Sequence, residues 1–161
     1  MLEEATGLSR SSLANSFGTK ADMLAAALAH YNDLIADHLV AGLEQTTAAP
    51  GDALHGFFDA LAALKADDPG RYGCLVVNTI VELPERNPAA EQQIQRYERM
   101  LLAGFTSALE RTGNAEDTDV EHRANVLLAL AMAVNLHARN RDTAAVADTT
   151  ASAHALIDAW T

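Results

Sequence analysis

Arg10, Ser11, Ser12, Asn15 and Ser16 have residue types and a spacing that suit contact with a polyanion. Leu13 and Phe17, four residues apart, mark the inner face of a short helix, so those five side chains project outward. Short hydroxyl and amide groups with one arginine, on a helix with an open N-terminus, can approach base edges and phosphates in a DNA major groove without steric conflict. Gly7 supplies a residue that accepts the left-handed conformation of a sharp turn, and Ser9 can cap the helix that follows. On residue types alone, a solvated helix face is the preferred reading of Arg10, Asn15 and Ser16.

Other chemistries find less support. The histidines at 30, 38, 55, 122, 137 and 154 include no pair at the i, i+4 spacing that chelates a metal from one helix face, and no metal site or cofactor is expected. Cys74 follows Gly73 and opens an apolar segment, where a thiol acts as a small hydrophobe. The carboxylate pairs Glu3-Glu4 and Asp67-Asp68 are neighbours in sequence, whereas acid–base catalysis needs groups converging across a cleft. With no nucleophile elbow or phosphate loop, the chain reads as a non-enzyme. An apolar cavity is the better candidate, lined by Phe57, Phe58, Leu61, Val77, Tyr97, Met100, Leu101, Phe105 and Met132, with Asn78, Asn135 and His137 to orient a ligand. Each of these residues fits ordinary core or interface equally well.

The 161 residues carry 49% hydrophobic and 20% charged side chains, enough apolar surface for one compact domain with a small appendage. Twenty-two acidic against 11 basic residues give a net charge of -11, which excludes sequence-independent nucleic-acid binding over most of the surface. In the first twenty residues Glu3 and Glu4 cancel Arg10 and Lys20. No apolar run reaches the roughly 18 residues of a membrane span. A single cysteine and no basic leader point to the reducing cytoplasm.

Positioning falls to helices, because apolar residues recur at helical spacing and no stretch alternates as a half-buried strand would. The fold class expected is all-α. Residues 21–44 form a long amphipathic helix with Leu24, Leu28, Tyr31, Ile35, His38 and Gly42 on one face, capped by Thr19 with Asp22. Beyond a turn at residues 46–51, Leu54, Phe57, Phe58, Leu61 and Leu64 mark a second helix, stopped by Asp67-Asp68-Pro69-Gly70. Residues 72–83 read as a buried helix, although their β-branched content also allows a strand. Asn87 and Pro88 open a helix with Ile94, Tyr97, Leu101, Phe105 and Leu109 inward, ending at Gly113.

Thr118 and Glu121 form a capping box before residues 120–141, whose centre, residues 126–134, is apolar on every side and predicts burial all round. Residues 144–160 place Val146, Thr150, Ala153, Ile157 and Trp160 on one face. These two helices, residues 119–160, are the expected homodimer surface; completion of a monomer core is the alternative.

The string Ala5-Thr6-Gly7-Leu8-Ser9-Arg10-Ser11-Ser12-Leu13, continued by Asn15-Ser16-Phe17-Gly18-Thr19-Lys20 and Met23-Leu24, closely resembles the helix-turn-helix signature of the TetR family of bacterial transcriptional regulators. The run Gly73-Cys74-Leu75-Val76-Val77-Asn78-Thr79 resembles the start of a core helix in the ligand-binding domain of one branch of that family. The resemblance implies a partial DNA-binding unit at residues 1–22, with Ser9, Arg10, Ser11, Ser12, Asn15, Ser16 and Lys20 toward operator DNA. It implies a ligand-binding and dimerisation domain at residues 23–161, a homodimer through its last two helices, and DNA release when a small-molecule effector of unknown identity binds. Residues 21–44 would be the lever between the two units.

Two departures follow. Ala14 stands where the family usually has tyrosine, which removes a phosphate contact. Family members also have a full helix and most of another before the Gly turn, roughly thirty residues that complete the reading head. The chain is therefore expected either to start at an internal methionine or to be an N-terminally truncated regulator. The alternative function is a helical dimeric ligand-binding or interaction protein that no longer binds DNA.

Overall fold

The computed structural model describes residues 2–44, 49–66, 72–83, 85–113 and 117–161. Among them there are helices and no strand: α1 (Leu2–Thr6), α2 (Arg10–Phe17), α3 (Lys20–Ile35), a π-helical segment (Ala36–Val40), α4 (Ala41–Glu44), α5 (Pro50–Ala66), α6 (Leu75–Glu82), α7 (Pro88–Glu110), α8 (Asp117–Arg139) and α9 (Thr143–Trp160). Helix α7 lies between α3 and α8, α9 packs on α5 and α8, and the short α6 closes one end against α3, α7 and α8. No described helix is long and apolar enough to cross a membrane.

The helix from Lys20 to Glu44 corrects the simple periodic expectation in its last third. Leu28 and Ile35 are buried as the spacing predicts, but His38 and Gly42 are exposed, and Leu39, Val40 and Leu43 point inward instead. The π-helical segment is the reason: a wider turn takes up one extra residue and advances the inward face by one position. Gly104 on α7 makes room for the shifted face, since a Cβ there would lie 3.0 Å from Leu43 Cδ1 and 3.3 Å from Val40 Cγ1.

Helix α7 follows the sequence closely. The Asn87 side chain accepts from the Ala90 N–H at 2.8 Å, Pro88 takes the first turn, and Ile94, Tyr97, Leu101, Phe105 and Leu109 are all buried. The helix ends at Glu110, and Gly113 follows at φ 67°. Residues 72–83 resolve in favour of helix, but only from Leu75. Tyr72 is exposed, and Gly73 at φ 82° turns the chain so closely past α8 that a Cβ would lie 2.8 Å from the Asn135 carbonyl.

In α5, Leu54, Phe57, Phe58 and Leu61 are inward, but the next inward residue is Lys65 and Leu64 faces out. A period of 3.6 residues places the turn after Leu61 between those two positions, so residue type misassigns it.

The all-round burial expected of α8 does not occur within the chain. Leu127, Leu128, Ala131 and Val134 are buried, while Val126 and Leu136 are 40% and 37% exposed. The α8 helix also ends at Arg139 rather than at 141, because Arg141 adopts φ 59° and turns the chain into α9. On α9, the predicted face packs inward, with Thr150, Ala153 and Ile157 buried. Residues 46–48 of the predicted turn, the stop at residues 67–70 and the Thr118 side chain of the predicted capping box lie outside the described residues.

Candidate functional site

The amino-terminal unit is held by local caps. Gly7, at φ 67°, turns the chain out of α1, and the Ser9 Oγ accepts the Ser12 N–H at 3.2 Å. The same oxygen lies 2.8 Å from Ser11 Oγ and 3.0 Å from Ser12 Oγ, so three predicted contact hydroxyls form one cluster at the N-terminus of α2. Gly18, at φ 79°, ends α2, and Thr19 and Asp22 then cap α3 reciprocally: Thr19 donates from N and Oγ1 to Asp22 Oδ2 at 3.0 and 2.7 Å, and the Asp22 N–H donates back to Thr19 Oγ1 at 3.1 Å. The Thr19 hydroxyl, and after it the Thr19 N–H, lower the Asp22 pKa below its ordinary value. Helix α2 therefore passes through a two-residue turn into α3.

All seven predicted DNA-facing residues, Ser9, Arg10, Ser11, Ser12, Asn15, Ser16 and Lys20, are exposed. One local contact restrains the set: Glu3 accepts the Arg10 N–H at 2.8 Å, and its second oxygen lies 3.9 Å from the Arg10 guanidinium. Leu13 is buried against α3, but Phe17, expected beside it on the inner face, is 42% exposed. A groove of about 550 Å³ runs along this unit, bordered by Glu3, Arg10, Leu13, Ala14, Gly18, Lys20 and Met23.

The twelve residues expected to form a ligand cavity are placed in the core or on its edge. Phe57, Phe58 and Phe105 pack as a cluster, with centroids 5.3 and 4.8 Å apart in the two edge-to-face pairs and 6.2 Å in the stacked pair. Leu61, Val77, Tyr97, Leu101 and Asn135 are buried, and Asn78, Met100 and Met132 are half-buried, as is His137. Asn78 holds the start of α6, donating to the Tyr72 carbonyl at 2.8 Å and lying 3.4 Å from Arg139 Nη1. Asn135 Nδ2 donates to the Ala131 carbonyl at 2.8 Å, while its Oδ1 is buried without a hydrogen-bond partner among the described residues.

Cys74 is fully buried, 3.6 Å from the Tyr97 hydroxyl. Burial pushes the pKa values of Tyr97 and Tyr31 up, and their contact with Cys74 adds to the shift.

The larger cavity lies elsewhere. It measures about 650 Å³ and is formed where the end of α5 and the end of α8 meet the first three turns of α9. Its walls include Ala62, Ala66, Ala138, Ala147 and Ala151, and none of the twelve predicted pocket residues lines it. Lys65 enters it from α5. The side chain is largely buried, donates to the Gly73 carbonyl at 3.2 Å, and has its pKa lowered by that burial. Thr150 lines the same space, with its Oγ1 buried and without a hydrogen-bond partner among the described residues.

At the far end His154 Nε2 stands 3.2 Å from Asp59 Oδ1, an ion-pair distance without an aligned hydrogen bond. His55, 4.6 Å away ring to ring, meets Asp158 at 3.0 Å. Sequence spacing gave no sign of this cross-helix pair. Among the described residues, no group of three or more metal-binding side chains comes together.

Residues 50–154, well over half of the chain, match the family described as Tetracyclin repressor-like, C-terminal domain. The fold is similar to the crystal structure of a TetR transcriptional regulator from Legionella pneumophila, with a TM-score of 0.82 at 18% identity, covering 98% of this chain and 82% of that one. No curated protein matches the chain in sequence.

Proposed function

The chain belongs to the tetracyclin repressor-like family of transcriptional regulators, and from that premise we propose that it is a homodimeric, cytoplasmic repressor that leaves operator DNA when a small molecule binds. The observation that carries this reading is the direct junction of α2 to the helix from Lys20 to Glu44. The exposed face bearing Arg10, Asn15 and Ser16 is coupled through Gly18 and the Thr19–Asp22 cap to a helix fastened on α7. That fastening includes Arg96 to Asp33 at 2.7 Å and Asn32 Nδ2 to the Gln93 carbonyl at 2.9 Å. A change in how α3 lies on α7 would therefore be carried to α2 as a tilt.

Two copies would pair through α8 and α9. Val126, Ala129, Ala133 and Leu136 form an uncovered or partly covered stripe along α8, and Ser152, Ala155 and Ala159 present small side chains on α9. The test of the regulator reading is fluorescence anisotropy with DNA from upstream of the protein's own gene and with unrelated DNA, across a range of salt concentrations. Preference for the upstream DNA that persists as salt rises supports it, and equal binding to both rejects it.

A second reading, a dimeric ligand-binding protein without DNA binding, is favoured by one observation: Glu3 restrains Arg10, the arginine of the reading helix.

A further inference from the structure

We propose that the cavity between α5, α8 and α9 binds a small amphiphilic anion, with its acidic head between Lys65 and Arg141 and its apolar body against the alanine walls. The inference rests on the effector-responsive reading above and names the chemical class of the effector.

The charge pattern is the first argument. The chain carries twice as many acidic as basic residues, yet among the described residues lining this cavity there are one lysine, one arginine and no carboxylate. Lys65 brings an ammonium into a largely buried position, where one of its three protons is used on the Gly73 carbonyl. Burying a cation with so little compensation is costly, and an anion at the same place removes that cost. Arg141, exposed at the junction of α8 and α9, supplies the second charge and has no ion-pair partner among the described residues. His154 is excluded from the anion's partners because Asp59 already faces it.

The second argument is the unpartnered polar group. Thr150 is nine-tenths buried, lines the cavity and has no hydrogen-bond partner for its hydroxyl among the described residues, so a ligand oxygen would complete it. Apart from Thr143 and His154, the remaining walls are alanine and valine, and about 650 Å³ is within the usual range for a small-molecule site. A carboxylate and a phosphate monoester share the chemistry this arrangement selects.

Isothermal titration calorimetry on the whole chain near neutral pH tests the site with three probes of equal chain length: octanoate, octyl phosphate and octanol. Saturable binding of either anion, at least about tenfold tighter than octanol, is the expected result, and the tighter of the two identifies the head group. Lys65→Met and Arg141→Gly should each weaken anion binding by about tenfold and leave octanol unchanged. Arg141→Gly keeps the test falsifiable should Lys65→Met fold poorly, because a φ of 59° suits glycine. Anion binding no tighter than octanol binding, absence of saturable binding, or affinity unaltered in Arg141→Gly overturns the proposal. Anion binding that leaves DNA affinity unaltered would preserve the site and reject the effector-responsive regulator instead.

Discussion

Arg111, one residue past the end of α7, donates from Nη2 to the carbonyl of Leu43 at 2.6 Å, binding the last turn of the long N-terminal helix to the end of α7. The same guanidinium holds its own helix through the Ser107 carbonyl and hydroxyl, both at 3.0 Å. One side chain thus brings a charged donor to terminal carbonyls of two helices. Arg111→Met should cost about 1.5–3 kcal/mol, the range for a hydrogen bond to a charged group. Hydrogen exchange should accelerate in residues 41–44 and stay unchanged in α9. Equal acceleration in both would show that Arg111 supports the whole fold and not this junction.

Gly73 and Gly7 provide a controlled pair. Both have positive φ, but a Cβ at Gly73 would lie 2.8 Å from the Asn135 carbonyl, whereas one at Gly7 would meet nothing within 4 Å. Gly7→Ala should cost about 1–2 kcal/mol, the strain of the left-handed conformation alone. Gly73→Ala adds a clash with backbone that cannot give way without shifting α8, and should cost more than that, about 3 kcal/mol. Urea midpoints of the two variants decide it; equal losses would mean that α8 yields freely.

These glycines also show what was legible in the sequence. Gly7 and Gly113 were readable as turns because their role is local. Gly73 could be read only as the neighbour of a helix start, since its constraint comes from a carbonyl 62 positions away in sequence. The stripe of α7 was readable because Ile94, Tyr97, Leu101, Phe105 and Leu109 keep strict helical spacing. The inward face beyond Ile35 was not, because the π-helical segment changes the period without any glycine or proline to mark it. The cavity was hidden for a different reason: its defining residue, Lys65, is a charged side chain at an inward position, and ranking by hydrophobicity assigns that place to Leu64.

Tyr31 and Tyr97 predict the alkaline limit of stability. Both have pKa values raised in the folded chain, chiefly by burial, so above their ordinary value of about 10 the unfolded chain loses protons that the folded chain keeps. Their contribution is fully present below that pH and declines above it, by up to about 1.4 kcal/mol per pH unit for each tyrosine. Lys65 acts in the opposite sense: with its pKa lowered by burial, stability rises as pH increases from its folded pKa toward the ordinary lysine value of about 10.4. Urea unfolding should therefore show stability rising or level into the alkaline range and then falling. Tyr97→Phe should flatten the fall, and Lys65→Met should remove the rise. A wild-type fall that Tyr97→Phe leaves unaltered would rule out Tyr97 as its source.

Val126 and Leu136 lie on the same side of α8, ten residues apart, and each leaves more than a third of its surface open. If this stripe joins two copies, Leu136→Glu places two like charges near the seam and should yield monomers at micromolar concentration, by light scattering, without lowering the helical content. Since the position is exposed in the single chain, the folded protomer should lose no more than about 0.5 kcal/mol. A dimer that survives both Leu136→Glu and Val126→Glu would move the interface off this face of α8.

Glu3 offers the most direct test of the amino-terminal unit. Its contact with the Arg10 guanidinium is exposed and 3.9 Å long, so it contributes little to stability, but it sets a negative charge beside the arginine of the reading helix. Glu3→Gln removes that charge and retains an oxygen able to accept the Arg10 N–H, so the start of α2 should stay in place. If Arg10 faces DNA, the variant should bind upstream DNA more tightly at low salt. The slope of log affinity against log salt should steepen by up to about 0.9, the release accompanying one additional phosphate contact. Arg10→Gln should reverse both changes. An unaltered slope in Glu3→Gln, with α2 intact by hydrogen exchange, would place Arg10 on a solvated face and favour the protein that binds its ligand without DNA.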